Sequence, residues 1–212
     1  MGVAARSLIL ATRNPHKVRE VARMLLPWQI SVEGLPEHVE LPAEDGETFE
    51  ANALPKARTA ALTLGRPAIA DDSGIEAEAL GGSPGVRSAR YAGEQATDEE
   101  NLEKLLREAP AGSRLRYVCV VAYVEPGQDG RPVERVFSGD CRGRLAENPR
   151  GHGGFGYDPA FLPDDDSSGR TMAELSDQEK DAISHRGRAV RSFAEWFAAS
   201  RPAILDRTRE PG

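Results

Sequence analysis

The sequence has 212 residues, 39% hydrophobic and 29% charged, which predicts one globular domain, or two lobes that share a core. A formal net charge of -7 argues against a nucleic-acid partner bound through nonspecific phosphate neutralisation. No apolar stretch approaches the ~20 residues that span a bilayer, and residues 1–10 lack the pattern of a signal peptide. We therefore expect neither a membrane nor a nucleic-acid partner.

The chain has two cysteines, Cys119 and Cys141, in or beside apolar runs that resemble strands. They form no CxxC pair, so buried free thiols are favoured over a disulfide. Free thiols fit a reducing compartment, and we expect the protein to be cytoplasmic.

In chain order, the first elements are a short buried strand at residues 7–11 and a helix that follows it. Asn14 is placed to cap that helix, and Pro15 suits its first turn. Residues 48–64 predict a second helix, in which Pro55 would cause a kink or mark a later start.

The middle of the chain predicts strands. Residues 67–70 form a buried strand that is expected to end in a turn at Asp71-Asp72-Ser73-Gly74. The alternation at residues 75–79 predicts a further strand. Residues 115–124 are apolar on both faces, which is typical of a central strand, and residues 133–138 predict its neighbour.

The last third begins with a glycine-rich loop at residues 148–156 and a short strand at residues 160–162. Capping boxes predict helix starts at three places, Thr97/Glu100, Thr171/Glu174 and Ser176/Glu179. Residues 201–212 are expected to fray. The alternation of strands and helices predicts a mixed α/β fold in one domain, residues 1–212.

Two segments could meet the phosphates of a ligand. Residues 12–17 join a strand to a helix N-terminus, where free N–H groups bind anions and Lys17 adds a charge. A plain capped turn explains the same residues equally well. Asp71 and Asp72 are adjacent carboxylates that repel unless a cation or a proton lies near them. They favour Mg²⁺ and a general base over an Asx-turn. Acids such as Glu44 precede the second helix, where acids are common, and we expect a functional role for them only if they face Asp72.

Two other segments could meet a base. The glycine-rich loop carries two aromatic residues, Phe155 and Tyr157, that could stack on a ring. A mobile surface loop is the alternative. Lys180, His185 and Arg186 are cationic donors around a joint between two helices, although a solvated basic face explains them as well. The histidines show no zinc-site spacing.

Five segments together resemble the inosine/xanthosine triphosphate pyrophosphatases, in that family's order and across residues 10–193. They are LATRNPHKVREV, DGETFEANALPKA, IADDSGIEAEALGGSPGVRSARYAG, GGFGYDP and ELSDQEKDAISHRGRA. The resemblance implies an elongated mixed sheet in two lobes flanked by helices, with the nucleotide in the cleft between the lobes. It also implies a homodimer. The activity implied is Mg²⁺-dependent hydrolysis of ITP, dITP and XTP to the monophosphate and pyrophosphate.

The resemblance assigns roles by position. Asp72 would be the general base and a magnesium ligand, with Glu44 as a second ligand. Ser73 would touch substrate. The triphosphate would be held by Thr12, Arg13, Asn14, Pro15, His16 and Lys17. The nucleoside would be positioned by Phe155, Gly156, Tyr157 and Asp158, and the purine read by Lys180, His185 and Arg186. Arg13 departs from the glycine of many members.

Two other functions compete with this one. A pyrophosphatase of similar fold could act on modified pyrimidine nucleotides. A regulatory module could bind a nucleotide without turnover, and it would not need an ionised Asp72 beside a metal.

Overall fold

The computed structural model describes residues 6–127 and 129–200, which form six strands in one sheet and five α-helices. The strands are β1 (Arg6–Leu10), β2 (Ile30–Gly34), β3 (Ala68–Ala77), β4 (Arg114–Glu125), β5 (Val133–Leu145) and β6 (Phe161–Pro163). The helices are α1 (Pro15–Leu25), α2 (Phe49–Leu64), α3 (Asp98–Glu108), α4 (Asp177–Ile183) and α5 (His185–Ser200).

The sheet is mixed, with the order β2-β1-β3-β4-β5-β6. β1 pairs in parallel with β2 and β3, and the remaining neighbours are antiparallel. β4 pairs along its length with β3 on one side and β5 on the other, which confirms it as a central strand. The predicted mixed α/β class is therefore confirmed. None of the helices in the described ranges is long and apolar enough to cross a membrane.

β3 does not end at the acidic pair, so the predicted turn at residues 71–74 is wrong. The strand continues to Ala77, with Asp71 opposite Val121 and Asp72 opposite Val120 on β4. Gly74 permits this course, because a Cβ there would lie 2.3 Å from the carbonyl oxygen of Gly85. Long-range pairing with β4 thus joins two short predicted strands into one.

Other boundaries also differ from the predictions. β5 extends to Leu145 rather than to residue 138, because β4 and then β6 pair with it. α2 runs through Pro55 without a break, so the later start is wrong. β2 was not predicted. The tail at residues 201–212 lies outside the described residues.

The predicted helix caps are confirmed. The side chain of Asn14 accepts hydrogen bonds from the main-chain N–H groups of His16 and Lys17 at the start of α1. Both hydrogen bonds of a capping box form at Thr97/Glu100 and Ser176/Glu179. At Thr171/Glu174 the Glu174 carboxylate accepts from the Thr171 N–H, and the Glu174 N–H donates to the Thr171 carbonyl.

The apolar residues divide the molecule into two lobes. In the first lobe, α1 and α5 pack on one face of the sheet around Tyr123 and Phe193, and α2 packs on the other. In the second lobe, α3 and the loops pack around Tyr117 and Phe161. β3 contributes Ile69 to the first lobe and its far end to the second, so Asp71 to Gly74 lie where the lobes meet. Both cysteines are buried and free, as predicted.

Close packing of α5 on β5 predicts a stability effect at Gly139. An ideal Cβ there would lie 2.3 Å from the carbonyl oxygen of His185 and 2.6 Å from the nitrogen of Ala189. Gly139→Ala should therefore lower the free energy of unfolding by about 2–3 kcal/mol, as overpacked cores do. The control is Gly34→Ala at the end of β2, where a Cβ meets nothing within 4 Å. Equal denaturation midpoints for the two variants would refute the packing.

Candidate active site

A cleft of about 380 Å³ lies where the lobes meet, which is a typical size for a small-molecule site. The predicted site residues that line it are Thr12, Arg13, Asn14, Lys17, Glu44, Asp72, Ser73, Phe155, Gly156, Tyr157, Asp158, Lys180, His185 and Arg186. Pro15 and His16 are the two predicted residues that do not. The structure therefore brings both the proposed phosphate and base residues to one cavity.

The N-terminus of α1 forms one end of the cleft. The N–H groups of its first turn are occupied rather than free as predicted, because His16 and Lys17 donate to the Asn14 side chain and Val18 donates to the Asn14 carbonyl. The helix dipole alone therefore favours an anion at this end of the cleft. The ammonium of Lys17 adds a full charge and lies 3.0 Å from a carboxylate oxygen of Asp71. The ring of His16 instead packs on Phe155, with ring centroids 5.2 Å apart.

The two acids of β3 have different environments, because successive residues of a strand point to opposite faces of the sheet. Asp71 is 1% exposed, and its Oδ2 lies near both Lys17 Nζ, at 3.0 Å, and Arg186 Nε, at 3.2 Å. Burial raises its pKa, but the charges of Lys17, Arg186 and Lys56 outweigh burial and hold that pKa well below its ordinary value. Asp71 is thus a fixed anion, and no cation is needed between the two acids.

Asp72 is the acid that lines the cleft. Its Oδ2 accepts a hydrogen bond of 3.0 Å from Asn52. Burial raises its pKa, Lys56 and the Asn52 hydrogen bond oppose that effect, and Glu44 adds to it. The net pKa lies above the ordinary aspartate value, which makes Asp72 a stronger base than an exposed carboxylate.

Sequence reasoning missed the polar face of α2. Asn52 and Lys56 are one helical turn apart and are 3% and 5% exposed among buried alanines. Lys56 Nζ contacts the Glu44 carboxylate and donates to the carbonyl of Asp71 at 2.8 Å. The sequence did carry a signal, because Asn52 and Lys56 are four residues apart among alanines and so share one face of the predicted helix.

The cationic residues Lys180 and Arg186, at the other end of the cleft, form a buried ion network rather than a solvated basic face. Lys180 and Arg186 are 4% and 2% exposed, and both donate to Glu20, at 2.7 and 2.6 Å. Lys180 also donates to Asp158 at 2.7 Å, and Arg186 donates to Ser73 at 2.8 Å. Sequence reasoning also missed Glu20. Burial raises its pKa, but Arg186 and Lys180 bring that pKa below the ordinary value.

His185 is buried and uncharged. Its ring stacks on Tyr117 with centroids 4.4 Å apart and planes within 4°. Burial, together with the charges of Arg186 and Lys180, lowers its pKa well below the ordinary histidine value. Its Nδ1 has no hydrogen-bond partner in the described part of the chain, so a polar atom is available beside the cavity.

The glycine-rich loop is ordered by its own contacts, not a mobile surface loop. Asp158 accepts from the main-chain N–H of Phe155 at 3.0 Å and from the hydroxyl of Tyr117 at 3.2 Å. Tyr157 is 5% exposed and donates its hydroxyl to the carbonyl of Ser88, so its ring packs in the second lobe. Phe155 lines the cleft, with Lys180 Nζ 5.2 Å from its ring centroid.

Arg13 has its guanidinium occupied. It donates to the carbonyl oxygens of Leu35, Pro36, Glu37 and Val39 at distances of 2.8 to 3.2 Å. The predicted phosphate contact would have to compete with these bonds.

A metal would find two carboxylates here. Glu44 and Asp72 both line the cleft, and hard carboxylate oxygens with water and phosphate oxygens are what Mg²⁺ prefers. No cluster of three or more His, Cys, Asp or Glu residues suited to a metal occurs within residues 6–127 and 129–200. The residues therefore fit a cation that is held partly by a ligand's phosphates.

A mixed α/β sheet with an anion-binding helix terminus and buried hydrogen-bond donors in one interlobe cleft defines a class of proteins built to hold a small phosphorylated ligand. The Ham1 family model matches residues 8–196, and the chain belongs to that family.

Named relatives and solved structures agree with this membership. The dITP/XTP pyrophosphatase of Yersinia pseudotuberculosis is 48% identical over 88% of this chain and 95% of its own. The dITP/XTP pyrophosphatase of Geobacillus kaustophilus is 46% identical over 91% of this chain and 94% of its own. The structure of a HAM1 protein from Coxiella burnetii has a TM-score of 0.80 and 39% identity, and it covers 91% of this chain and 98% of that chain.

The neutral state of His185 predicts a pH dependence of stability. In the unfolded chain this histidine takes up a proton as the pH falls below about 6.5, whereas the folded protein resists protonation. The stability that the neutral His185 side chain contributes is therefore fully present above about pH 6.5. Below that pH the free energy of unfolding falls by up to about 1.4 kcal/mol per pH unit.

His185→Phe preserves a ring beside Tyr117 and removes this linkage. Between pH 7 and pH 5 the free energy of unfolding should fall more steeply for the wild type than for the variant, as measured by urea denaturation. Parallel curves would show that His185 titrates normally in the folded protein.

Proposed function

We propose that this protein hydrolyses deaminated purine nucleoside triphosphates, ITP, dITP and XTP, to the monophosphate and pyrophosphate. The observation that carries the proposal is that one cleft is lined by the N-terminus of α1 with Lys17, by Asp72 with its raised pKa, and by the buried donors Lys180 and Arg186. The names of its relatives, dITP/XTP pyrophosphatases matched over most of the chain, support the same reaction.

The triphosphate would lie at the α1 end of the cleft. The positive end of the α1 dipole and the Lys17 ammonium would supply positive charge for its oxygens. Lys17 can exchange its contact with Asp71 for a phosphate without leaving Asp71 unpaired, because Arg186 stays on the same carboxylate oxygen.

We also propose that the reaction requires Mg²⁺ and that Asp72 and Glu44 would hold the ion. When bound, it would neutralise charge on the phosphates and on the leaving pyrophosphate. Lys56 lies against the Glu44 carboxylate and the main chain of Asp71, so it keeps the two parts of this acidic site together.

Asp72 would accept the proton of the water that attacks the α-phosphorus. Asn52 holds one oxygen of this carboxylate and so orients the other. The dipole of α1 and the Lys17 ammonium would stabilise the charge that develops on the phosphate oxygens. The proton stays on Asp72 until pyrophosphate departs.

The base would be recognised by hydrogen-bond donors. Hypoxanthine and xanthine carry an acceptor oxygen at C6, whereas adenine carries a donor amino group there. Lys180 has three N–H groups, of which Glu20 and Asp158 take two. Its third N–H, with Arg186 and His185, offers donors to an oxygen, and an adenine amino group would leave them unpaired.

The resemblance to homodimeric enzymes and the two free cysteines lead us to propose a cytoplasmic homodimer.

The decisive experiment for this function is phosphate release from ITP with Mg²⁺, with and without added inorganic pyrophosphatase. We expect signal only when the coupling enzyme is present, because pyrophosphate is the product. Tight ITP binding without turnover would favour a regulatory module, and turnover confined to modified pyrimidine triphosphates would favour the related pyrophosphatase.

Asp72→Asn tests the general base. The amide preserves shape but cannot accept the proton, so turnover should fall on the order of 100-fold or more with little change in Tm. Glu76→Gln is the matched control, because Glu76 lies on the same strand and pairs with Arg116. The assignment fails if Asp72→Asn is as active as Glu76→Gln.

Base selection is tested by comparing nucleotides. The wild type should hydrolyse ATP at least about 100-fold less efficiently than ITP in kcat/KM, because unpaired buried donors are costly. Lys180→Met should narrow that ratio, and it leaves Glu20 paired with Arg186 and Asp158 with Tyr117. ATP turnover that rivals ITP turnover in the wild type would overturn the recognition scheme.

A further inference from the structure

The connection between β2 and α2 forms a wall of the cleft without regular structure of its own. We call residues 35–46 the rim segment. It contributes Leu41, Pro42 and Glu44 to the cleft lining. Connections of more than about 12 residues without secondary structure are uncommon and are usually functional. One main-chain hydrogen bond forms within the segment, from Val39 N to the oxygen of Pro36.

Arginine side chains supply the bonds that the main chain lacks. At one end of the rim segment, Arg13 donates to four main-chain carbonyls between residues 35 and 39. At the other end, Arg90 donates to the carbonyl of Glu44 at 2.5 Å. Arg90 ends a short helix, Gly85–Arg90, that packs on β3. Leu35, Val39 and Leu41 also pack on the apolar core. At the far end, Lys56 contacts the Glu44 carboxylate and Gly46 N–H donates to Asn52 at 2.8 Å, so the two arginines add to these contacts.

Arg13 connects the rim segment to the N-terminus of α1. Its main chain lies directly before Asn14, the cap of the phosphate-facing helix, and its side chain holds the rim segment. Arg13 therefore links the α1 terminus directly to the first half of the segment that carries Glu44. A guanidinium with four carbonyl partners is a rigid link, because its donors have a fixed planar geometry.

We propose that Arg13 and Arg90 are positioning residues that hold the rim segment so that Glu44 faces Asp72 across the cleft. Arg13 thus acts on the main chain of the protein and not on the triphosphate. The inference rests on the proposed function only for Glu44 as a magnesium ligand.

The first test measures the rim segment itself. Exposed glutamates in it, such as Glu37 and Glu40, are sites for a glutamate-specific protease, and cleavage can be located by mass spectrometry. Arg13→Ala should be cleaved in residues 35–47 at least about tenfold faster than wild type, since loss of these bonds favours local opening. Arg13→Lys, which retains three donors, should be intermediate. Cleavage of Arg13→Ala at the wild-type rate would overturn the proposal.

The second test measures the Mg²⁺ requirement of ITP hydrolysis. In Arg13→Ala and Arg90→Ala, the Mg²⁺ concentration for half-maximal rate should rise about fivefold or more, while KM for ITP at saturating Mg²⁺ changes less than about twofold. Arg66→Ala is the matched control, because Arg66 pairs with Glu33 and Ser7 on the neighbouring strands. It should change neither the protease rate nor the Mg²⁺ requirement.

The two tests together distinguish a positioning role of Arg13 from direct binding of the triphosphate. A raised KM for ITP with normal protease resistance in Arg13→Ala would show that Arg13 binds the triphosphate and would overturn the positioning role. Faster cleavage with an unchanged Mg²⁺ requirement would also overturn it, because Glu44 would then not depend on the segment. A wild type that fails to hydrolyse ITP refutes the proposed function, and the protease comparison still decides whether Arg13 and Arg90 hold the segment.

Discussion

A buried carboxylate, Asp71, lies between the two ends of the cleft, and the rest of the site depends on its charge. Taking ions out of water costs several kcal/mol each, so a buried charge persists only with close partners of opposite sign. Lys17 of α1 and Arg186 of α5 approach the same oxygen of Asp71 from opposite ends of the cleft. Without this anion, the partly buried Lys17 would lose its carboxylate partner, and Arg186 would retain only Glu20. The Asp71 carboxylate therefore sets where both cationic groups lie.

The geometry of β3 explains how Asp72 can follow Asp71 directly in the sequence. Adjacent residues of β3 face opposite sides of the sheet, so Asp71 points to the cations and Asp72 to α2 and the cleft. Their pKa values are shifted in opposite directions, because Asp71 has several cations close to it while burial dominates at Asp72. One dipeptide thus provides a permanent counter-ion and a group able to accept a proton. Neighbouring titratable groups whose pKa values are shifted in opposite directions are common in the active sites of enzymes that use acid and base catalysis.

The charges along the cleft match the ligand proposed for it. At the base end, the cations Lys180 and Arg186 are balanced by Glu20 and Asp158, which suits an uncharged ring. At the other end, the helix terminus faces the cavity, and Asp72 and Glu44 leave room for a cation that accompanies phosphate. Electrostatic complementarity therefore orients a nucleotide along the cleft before any contact specific for its base is made.

The sequence by itself determined the local elements, because their signals act within a few residues. The caps at Asn14 and Thr97 and the apolar pattern of β4 depend on neighbours along the chain, and the segments that resemble the Ham1 family indicated most of the cleft lining. Tertiary structure alone decided the rest. β3 is continuous because it pairs with β4 along its length. Glu20 pairs with Lys180, which is 160 positions away in the sequence, and Arg13 donates to the rim segment. These outcomes depend on partners distant in sequence, whose positions only the packed fold fixes.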